Sequence, residues 1–454
     1  MSRKFRTPDY EATLSMPILL GEALPADHLA RFVVDIISQL DLSRIYAGYA
    51  ERGGEAIAPE VLLGLLFYGY ATGTFSSRKL EKASYENLGF RYVGGGLHPD
   101  HDTIANFRTT FLKELEDLFV QILMLAKLAG KLELGNLSLD GSKIHADASK
   151  SQAVSYGRLI ELEAELRVEV GELIQLGERA DQGEIQLPEE FAIGDEISLR
   201  RERLENLAQA KAVLEARAKE RDEAEKAEYD EKVRVRGAKA SKHRKRPRGQ
   251  APKPPEAGPR QKDQYNFTDP DSRIMKNSTN DGFDQHYNVQ VAVDQDSLLI
   301  VAASLSNHPN DKREAEPTLD ALSPRLGHAS AAALDNGFFS EHNILVLEQR
   351  GIEPYIATGR EAHRKDLNTL LGKTLSVPPD DATVLEKMAY KLSTEIGQAI
   401  YRLRKCTVEP VIGIIKEILG FRQFSLRGLK KVIGEWCLVC LAFNLKRLHI
   451  LMTA

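Results

Sequence analysis

The sequence predicts an α/β protein in which a mixed β-sheet follows an all-helical N-terminal domain and is interrupted by a helical hairpin. Three observations lead to this prediction. Apolar residues recur at helical spacing in the first 130 residues, leucines follow a heptad pattern in the middle, and short apolar strand-like segments alternate with helices in the last third. The chain has 454 residues, of which 42% are hydrophobic, so two to four structural units are expected.

The composition excludes several classes of protein. Three cysteines cannot form a disulfide framework, and the pair Cys437 and Cys440 lacks a second pair to complete a zinc site. The longest apolar runs are about ten residues, short of the roughly 20 that span a bilayer. The basic first ten residues lack the apolar stretch of a secretory signal. We therefore expect a cytoplasmic protein without a membrane partner.

Residues 1–130 are predicted to form the helical N-terminal domain. Apolar spacing places helices at residues 29–42, 59–70 and 103–128, and Asp102 or Thr103 is expected to cap the third. This domain carries basic residues that we expect on its surface, where they could meet a DNA backbone: Arg78, Lys79, Arg91 and Arg108. Any soluble helical domain displays such charges, so the pattern alone does not single out DNA.

Residues 150–264 are predicted to be an insertion into the sheet. Leucines occupy heptad positions in two stretches separated by Pro188 and Gly194, namely Leu159, Leu162, Leu166, Leu173 and Leu176, then Leu204, Leu207 and Leu214. This spacing is typical of two helices packed as an antiparallel coiled-coil hairpin.

A basic segment follows the hairpin, although the whole chain has a net charge of −5. Residues 232–262 carry Lys or Arg at many positions and a single acidic residue, Glu256, and they are rich in proline. Such a composition cannot bury a core, so we expect this segment to be flexible. It is either a salt-dependent contact to DNA phosphates or a solvated linker.

Residues 131–149 and 265–454 are predicted to form the sheet domain. Strands are expected at 137–144, 287–294, 298–305, 331–334 and 352–357, and helices at 312–322 and 341–350. The strand at 137–144 is expected to deliver Asp140 at its end, beside the turn at Gly141. A mixed sheet with helices on both faces and carboxylates at strand ends is the ribonuclease-H-like architecture.

Three carboxylates in this order suit phosphodiester chemistry. Asp140 and Asp335 each follow an apolar strand, where such sheets place ligands. Two Mg²⁺ held by carboxylates stabilise the attacking and leaving oxygens of a phosphoryl transfer. A third carboxylate is expected from a downstream helix, and Glu409 is the candidate. Thr407 is expected to cap that helix, which would place Glu409 in its first turn and on one face with Lys416.

These segments resemble the DDE transposases of bacterial insertion sequences, specifically the eleven-eighty-two group, which is related to the insertion-sequence-four and -five superfamily. The likeness covers nearly the entire chain. It rests on several short motifs: residues 24–29, 76–79, 99–108, 139–144, 269–273, 287–290, 335–338, 407–411 and 427–429. It also rests on the spacing Tyr401-x-x-Arg404-x-x-x-x-Glu409-x-x-x-x-x-x-Lys416.

The resemblance implies an enzyme and its site residues. Asp140, Asp335 and Glu409 would hold two Mg²⁺, with Mn²⁺ as a substitute. Tyr401, Arg404 and Lys416 would accompany this triad as DNA contacts. Further DNA-binding residues would be Arg78, Lys79, Arg108, Lys143 and Arg427.

The implied reaction is cleavage at the ends of the insertion sequence, followed by transfer of the freed 3′-hydroxyl to target DNA. The partners would be double-stranded DNA and a second copy of the chain, and the protein would associate with the nucleoid. Two alternatives stay open, an inactive DNA-binding descendant of a transposase and a ribonuclease-H-like nuclease without strand transfer. A purely structural coiled-coil protein would explain only residues 150–229.

Overall fold

The computed structural model describes residues 19–49, 56–188, 191–243, 250–277, 282–359, 376–379 and 381–453. The chain divides into two units. The first unit comprises Met1–Ile144 and Asn288–Ala454, and the second comprises His145–Tyr287. The N-terminal helices therefore share a unit with most of the sheet, and the boundary expected near residue 130 does not separate two units.

Helices precede the first strand in the described residues. They are α1 (Leu29–Ile37), α2 (Ser43–Ala47), α3 (Pro59–Ala71), α4 (Ser77–Glu86), α5 (Leu88–Val93), α6 (His101–Thr110) and α7 (Glu114–Leu128). The helix expected at residues 103–128 is in fact two helices, α6 and α7. The expected cap of α6 is also wrong, because the carboxylate of Asp100 accepts the backbone N–H of Thr103. Asp100 stands three residues before that N–H, which is the spacing an N-cap requires.

Eight strands are present in the described residues. They are β1 (Asn136–His145), β2 (Ala153–Ser155), β3 (Gln264–Asn266), β4 (Arg273–Lys276), β5 (Phe283–Asp294), β6 (Ile300–Ser306), β7 (Ala331–Leu334) and β8 (Glu353–Ile356).

The sheet of the first unit has the strand order β6-β5-β1-β7-β8. β5 and β6 pair in antiparallel fashion as the predicted hairpin, whereas β1, β7 and β8 run parallel. β7 is buried along its whole length, as the continuous apolar sequence of a central parallel strand requires. The mixed sheet expected from the sequence is confirmed, but β1 does not end at Asp140, because it continues to His145.

The second unit contains the helical hairpin. α8 (Tyr156–Asp181) and α9 (Ile193–His243) are antiparallel, since Glu163 pairs with Lys211 whereas Glu169 pairs with the earlier Arg200. The two helices share an apolar core of Val154, Leu159, Leu166, Leu207, Ala210 and Leu214. Leucines expected at heptad positions therefore face one another. In the same unit β2 pairs with β3, and β4 pairs with the first residues of β5.

The basic segment differs from its prediction. Its first part, up to His243, belongs to α9 and is helical, whereas residues 250–262 lie in no helix or strand. Residues 244–249 lie outside the described residues. Proline first occurs in this segment at Pro247, and the residues before it are mainly good helix formers, which explains why the helix extends so far.

The remaining helices surround the sheet. They are α10 (Ala315–Asp320), α11 (Glu341–Gln349), α12 (Val384–Ser393), α13 (Glu395–Gly413) and α14 (Leu429–Thr453). α13 continues into one π-helical turn at Ile414–Ile418. α12 packs on β8, α13 packs on β7 and β8, α11 packs on β8, and α10 packs on β6.

The last helix, α14, belongs to the core of the first unit. By length and composition alone it could cross a membrane. It packs on α3, α7 and β6, and most of its residues are buried. Its buried Asn444 exchanges two hydrogen bonds with the backbone of Ile300 at the start of β6. A helix buried in a protein core can be as long and as apolar as a membrane-spanning helix, so length and composition alone do not distinguish the two.

A buried charged network joins α14 to the N-terminal helices. Glu435 is fully buried and accepts the backbone N–H groups of Ser425 and Leu426. It also accepts the hydroxyl of Tyr70, which in turn accepts a hydrogen bond from Arg108. Buried charges persist in proteins when they are paired and hydrogen-bonded in this way.

Candidate active site

Two aspartates lie side by side at the edge of the central parallel strands. Leu139 of β1 is paired with Leu334 of β7, and these are the last paired residues of the two strands. Asp140 follows Leu139 within β1 and Asp335 follows the last residue of β7, so both stand just beyond the last residues that pair the two strands. Asp335 then caps a short 3₁₀ turn by accepting the backbone N–H of Gly337.

The helix that carries Glu409 is fastened to β1 by buried polar groups. Thr407 Oγ1 and Ser138 Oγ share a hydrogen bond of 2.8 Å. The amide of Gln295 donates to Ser138 Oγ and to the backbone carbonyl of Ile400. These bonds fix the face of α13 that lies against the strand beside Asp140.

The expected role of Thr407 is wrong. α13 begins at Glu395 with Thr394 as its cap, so Thr407 lies well inside the helix. Glu409 is therefore in the second half of α13 and gains nothing from the positive end of the helix dipole. Pro410 also lies inside the helix, where it removes one backbone donor.

Arg404 connects the third carboxylate to the first. Its Nη1 donates to Asp140 Oδ2 at 2.8 Å, and its Nη2 donates to Glu409 Oε1 at 3.0 Å. The Arg404 side chain is 10% exposed, that of Asp140 is 19% exposed and that of Glu409 is 47% exposed. The structure thus brings Asp140 and Glu409 to opposite ends of one guanidinium group.

The electrostatics of these groups are coupled. Burial raises the pKa of Asp140 to about 6, although Arg404 lowers it, and the nearby charge of Asp335 raises it further. Burial tends to lower the pKa of Arg404, but the surrounding Asp140, Tyr401, Glu409 and Asp335 raise it overall. The charges of all three predicted carboxylates therefore act on Arg404, which is their shared countercharge.

The donor set suits a hard divalent cation, but its ligands are not preformed. Carboxylate oxygens are the ligands that Mg²⁺ prefers in proteins. Within the described ranges, no three His, Cys, Asp or Glu side chains are arranged as a ready metal cluster. At this site Arg404 already engages oxygens of Asp140 and Glu409. Coordination by these oxygens requires Arg404 to release at least one of them.

Lys416 lies next to the continuation of β1 beyond Asp140. Its ammonium group donates to Ser142 Oγ and to the backbone carbonyl of Lys143. Burial lowers the pKa of Lys416. Lys416 lies in the π-helical turn, a feature that is frequent at functional sites. Tyr401, one turn before Arg404 on α13, places its ring 6.0 Å from the Arg404 guanidinium.

The predicted DNA-binding residues have different environments. Arg78 and Lys79 are exposed on α4, Arg91 and Arg427 are exposed, and Lys143 is half-buried. Arg108 was expected on the surface, and this is wrong. It is buried and donates to Tyr70 and to the carbonyl of Phe75, so its guanidinium is not available to a DNA backbone.

Two residues that position the site were missed in the sequence. Ser138 and Gln295 are both buried and connect β1 to α13. The available signal was the polar Ser138 between Leu137 and Leu139, which are both apolar. A buried polar group requires a partner, so this serine predicts a contact, although not its identity.

Two transposase family models match the chain. The transposase domain (DUF772) matches residues 19–110, which cover helices α1 to α6, and the transposase DDE domain matches residues 372–449, which include Glu409 and Lys416. No curated protein and no solved structure matches the chain. DDE transposases are metal-dependent enzymes that cleave and transesterify phosphodiesters. These two matches support a DDE-type insertion-sequence transposase.

Proposed function

We propose that this transposase binds the ends of its own insertion sequence, cleaves them in a Mg²⁺-dependent reaction and transfers the strands to target DNA. The observation that supports the proposal is that Arg404 pairs with both Asp140 and Glu409 and also feels the charge of Asp335, although long stretches of chain separate these residues. The strand order β6-β5-β1-β7-β8, with a leading antiparallel hairpin and parallel strands behind it, supports a ribonuclease-H-like fold.

Two Mg²⁺, for which Mn²⁺ could substitute, would be held by Asp140, Asp335 and Glu409 and would stabilise the attacking and leaving oxygens of an in-line displacement. Arg404 holds Asp140 and Glu409 in position and balances their charge. We therefore assign Arg404 to orienting the carboxylates rather than to a phosphate contact. Lys416, which lies beside Ser142, would meet a phosphate of the DNA strand.

The reaction has two displacements at the same site. In the first, water attacks the phosphorus at the end of the element, and the bond from phosphorus to the 3′-oxygen breaks. This step leaves a 3′-hydroxyl on the element and a 5′-phosphate on the flanking DNA. In the second, that 3′-hydroxyl loses its proton and attacks a target phosphodiester, whose own 3′-oxygen leaves. Neither step requires a covalent bond to the protein.

The same proposal covers the partners and the location. The substrate is double-stranded DNA, with Arg78, Lys79, Lys143 and Arg427 as candidate backbone contacts. Two ends must be aligned, which implies a dimer of the chain. A protein that acts on chromosomal DNA is expected in the cytoplasm at the nucleoid, and the eleven-eighty-two group is the one whose motifs it resembles.

The test uses purified full-length protein and a DNA fragment that carries the genomic flank of the gene. Asp140→Asn is expected to abolish Mg²⁺-dependent end cleavage and to leave DNA binding unchanged. Asp320→Asn, which removes an exposed carboxylate of α10, is the matched control and should cleave normally. Cleavage by Asp140→Asn at the wild-type rate would refute the site. Cleavage without joining to a target plasmid would identify a nuclease rather than a strand-transfer enzyme.

A further inference from the structure

A fourth carboxylate, Asp311, lies beside the candidate active site. It stands in the loop between β6 and α10, in the first unit. Two amide side chains of β5 hold it. Asn288 donates to Asp311 Oδ1 at 2.8 Å, and Gln290 donates to the same oxygen at 2.7 Å. Both amides are almost fully buried, so the position of Asp311 is fixed by the sheet itself.

The second oxygen of Asp311 faces the space beside Asp335. A Cβ atom placed on Gly337 would lie 3.4 Å from Asp311 Oδ2 and 2.9 Å from Asp335 Oδ1. The two carboxylates therefore flank one small space, which the missing side chain of Gly337 leaves open. Among the hydrogen bonds of the described residues, Asp311 accepts through Oδ1, and Oδ2 accepts none.

Gln290 connects this space to Asp140. Its carboxamide lies over Gly141, the residue after Asp140, where an added Cβ would be 2.5 Å from Gln290 Oε1. Gln290 is 1% exposed, and its Oε1 has no hydrogen-bond partner in the described part of the chain. A buried acceptor without a donor costs free energy, so its retention in this position points to a missing ligand.

The missing ligand must donate a hydrogen bond to Gln290. It must also carry positive charge or be bound to a positively charged ion. The neighbouring side chains Asp140, Asp311 and Asp335 are acceptors when ionised, so none of them can donate to Gln290. A hydrated divalent cation meets both requirements, because it binds carboxylate oxygens and keeps several waters as hydrogen-bond donors. Asparagine at position 288 and glutamine at position 290 add donors for Asp311 without adding a competing positive charge.

We propose that Asp311 is a further cation-binding carboxylate of this site, paired with Asp335, and that Gln290 accepts a hydrogen bond from the water that hydrates the cation. This inference rests on the proposed function, and it extends the site beyond the three carboxylates. Asp311 faces the cation through Oδ2, whereas Oδ1 anchors it to β5. Gly337 keeps the space between the two carboxylates free.

Asp311→Asn is the discriminating variant. The carbonyl oxygen of the asparagine can still accept both hydrogen bonds from Asn288 and Gln290, so the fold is preserved and only the group facing Asp335 changes. The assay titrates metal-free, full-length protein with Mn²⁺ and follows free Mn²⁺ by electron paramagnetic resonance. We expect the apparent affinity for Mn²⁺ to fall about 10- to 100-fold. Asp320→Asn, which removes the same charge elsewhere, should bind as the wild type does.

Gly337→Ala is a second variant, and it retains every carboxylate of the site. Its methyl group enters the space between Asp335 and Asp311, so it should also weaken Mn²⁺ binding, while circular dichroism stays unchanged. Wild-type affinity in both variants, together with lost affinity in Asp335→Asn, would overturn the role of Asp311 and leave the proposed function intact. Wild-type affinity in Asp335→Asn as well would overturn the three-carboxylate site itself.

Discussion

Replacing Asp140 by asparagine should stabilise the metal-free protein while it removes activity. Asp140 is largely buried, and burial raises its pKa from 3.8 to about 6 in spite of the ion pair with Arg404. Ionisation of this side chain therefore lowers the free energy of unfolding of the protein. Asparagine has nearly the same shape and no charge, so the variant avoids this cost.

The magnitude follows from the shift. A raised folded-state pKa means that the penalty is absent below pH 3.8, grows as the pH rises and is complete above about pH 6. The shift of about two units corresponds to about 3 kcal/mol at pH 7, since each unit is worth 1.36 kcal/mol. At pH 5 the advantage of Asp140→Asn should be about half as large, because the wild-type side chain is then mostly protonated in the folded state.

The assay is urea denaturation in metal-free buffer at pH 5 and pH 7. Trp436 is the single tryptophan of the chain and is buried in α14, so its fluorescence reports the unfolding of the first unit. Asp320→Asn is the control and should change stability by less than about 1 kcal/mol, as expected for an exposed ion pair. Equal or lower stability of Asp140→Asn at pH 7 would refute the reasoning, since Asp140 would then be favourable when ionised.

Two further predictions concern buried contacts of the first unit, and the same fluorescence assay tests both. Glu435→Ala should cost about 3–5 kcal/mol, because it leaves buried Arg108 without its oppositely charged partner and two backbone N–H groups without their acceptor; a cost below about 1 kcal/mol would show that the network is not needed. Thr407→Val should cost about 1 kcal/mol by removing the hydrogen bond to Ser138, whereas Thr407→Ser should retain it. Equal stability of these two variants would contradict the assigned contact.

The sequence was most informative where one periodic signal dominated. The bounds of β7 were predicted correctly, because four consecutive apolar residues between turn signals are typical of a strand that is buried on both faces. The helical hairpin was predicted from leucine spacing alone, and Leu159, Leu166, Leu207 and Leu214 do pack together. Asp140 and Asp335 could be placed near each other because β1 and β7 are parallel neighbours, although β1 continues past Asp140 to His145.

The errors have a common physical cause, which is that tertiary contacts override local signals. Thr407 looked like a helix cap, but its hydroxyl is used by Ser138, far away in the sequence. Arg108 looked like a surface charge, but Tyr70 and Glu435 give it buried partners. Asp311 gave no signal at all, because an aspartate in a polar loop is ordinary until Asn288 and Gln290 are seen to hold it.

The position of α14 has a consequence for the protein products of truncated copies of the gene. This helix covers apolar surfaces of α3, α7 and β6, and the ribosome delivers it after all three of them. A copy interrupted by a premature stop codon before residue 429 would leave all three surfaces bare, and proteases and aggregation remove such chains. We therefore expect truncated copies of the gene to produce no stable protein, rather than stable fragments that inhibit the intact enzyme.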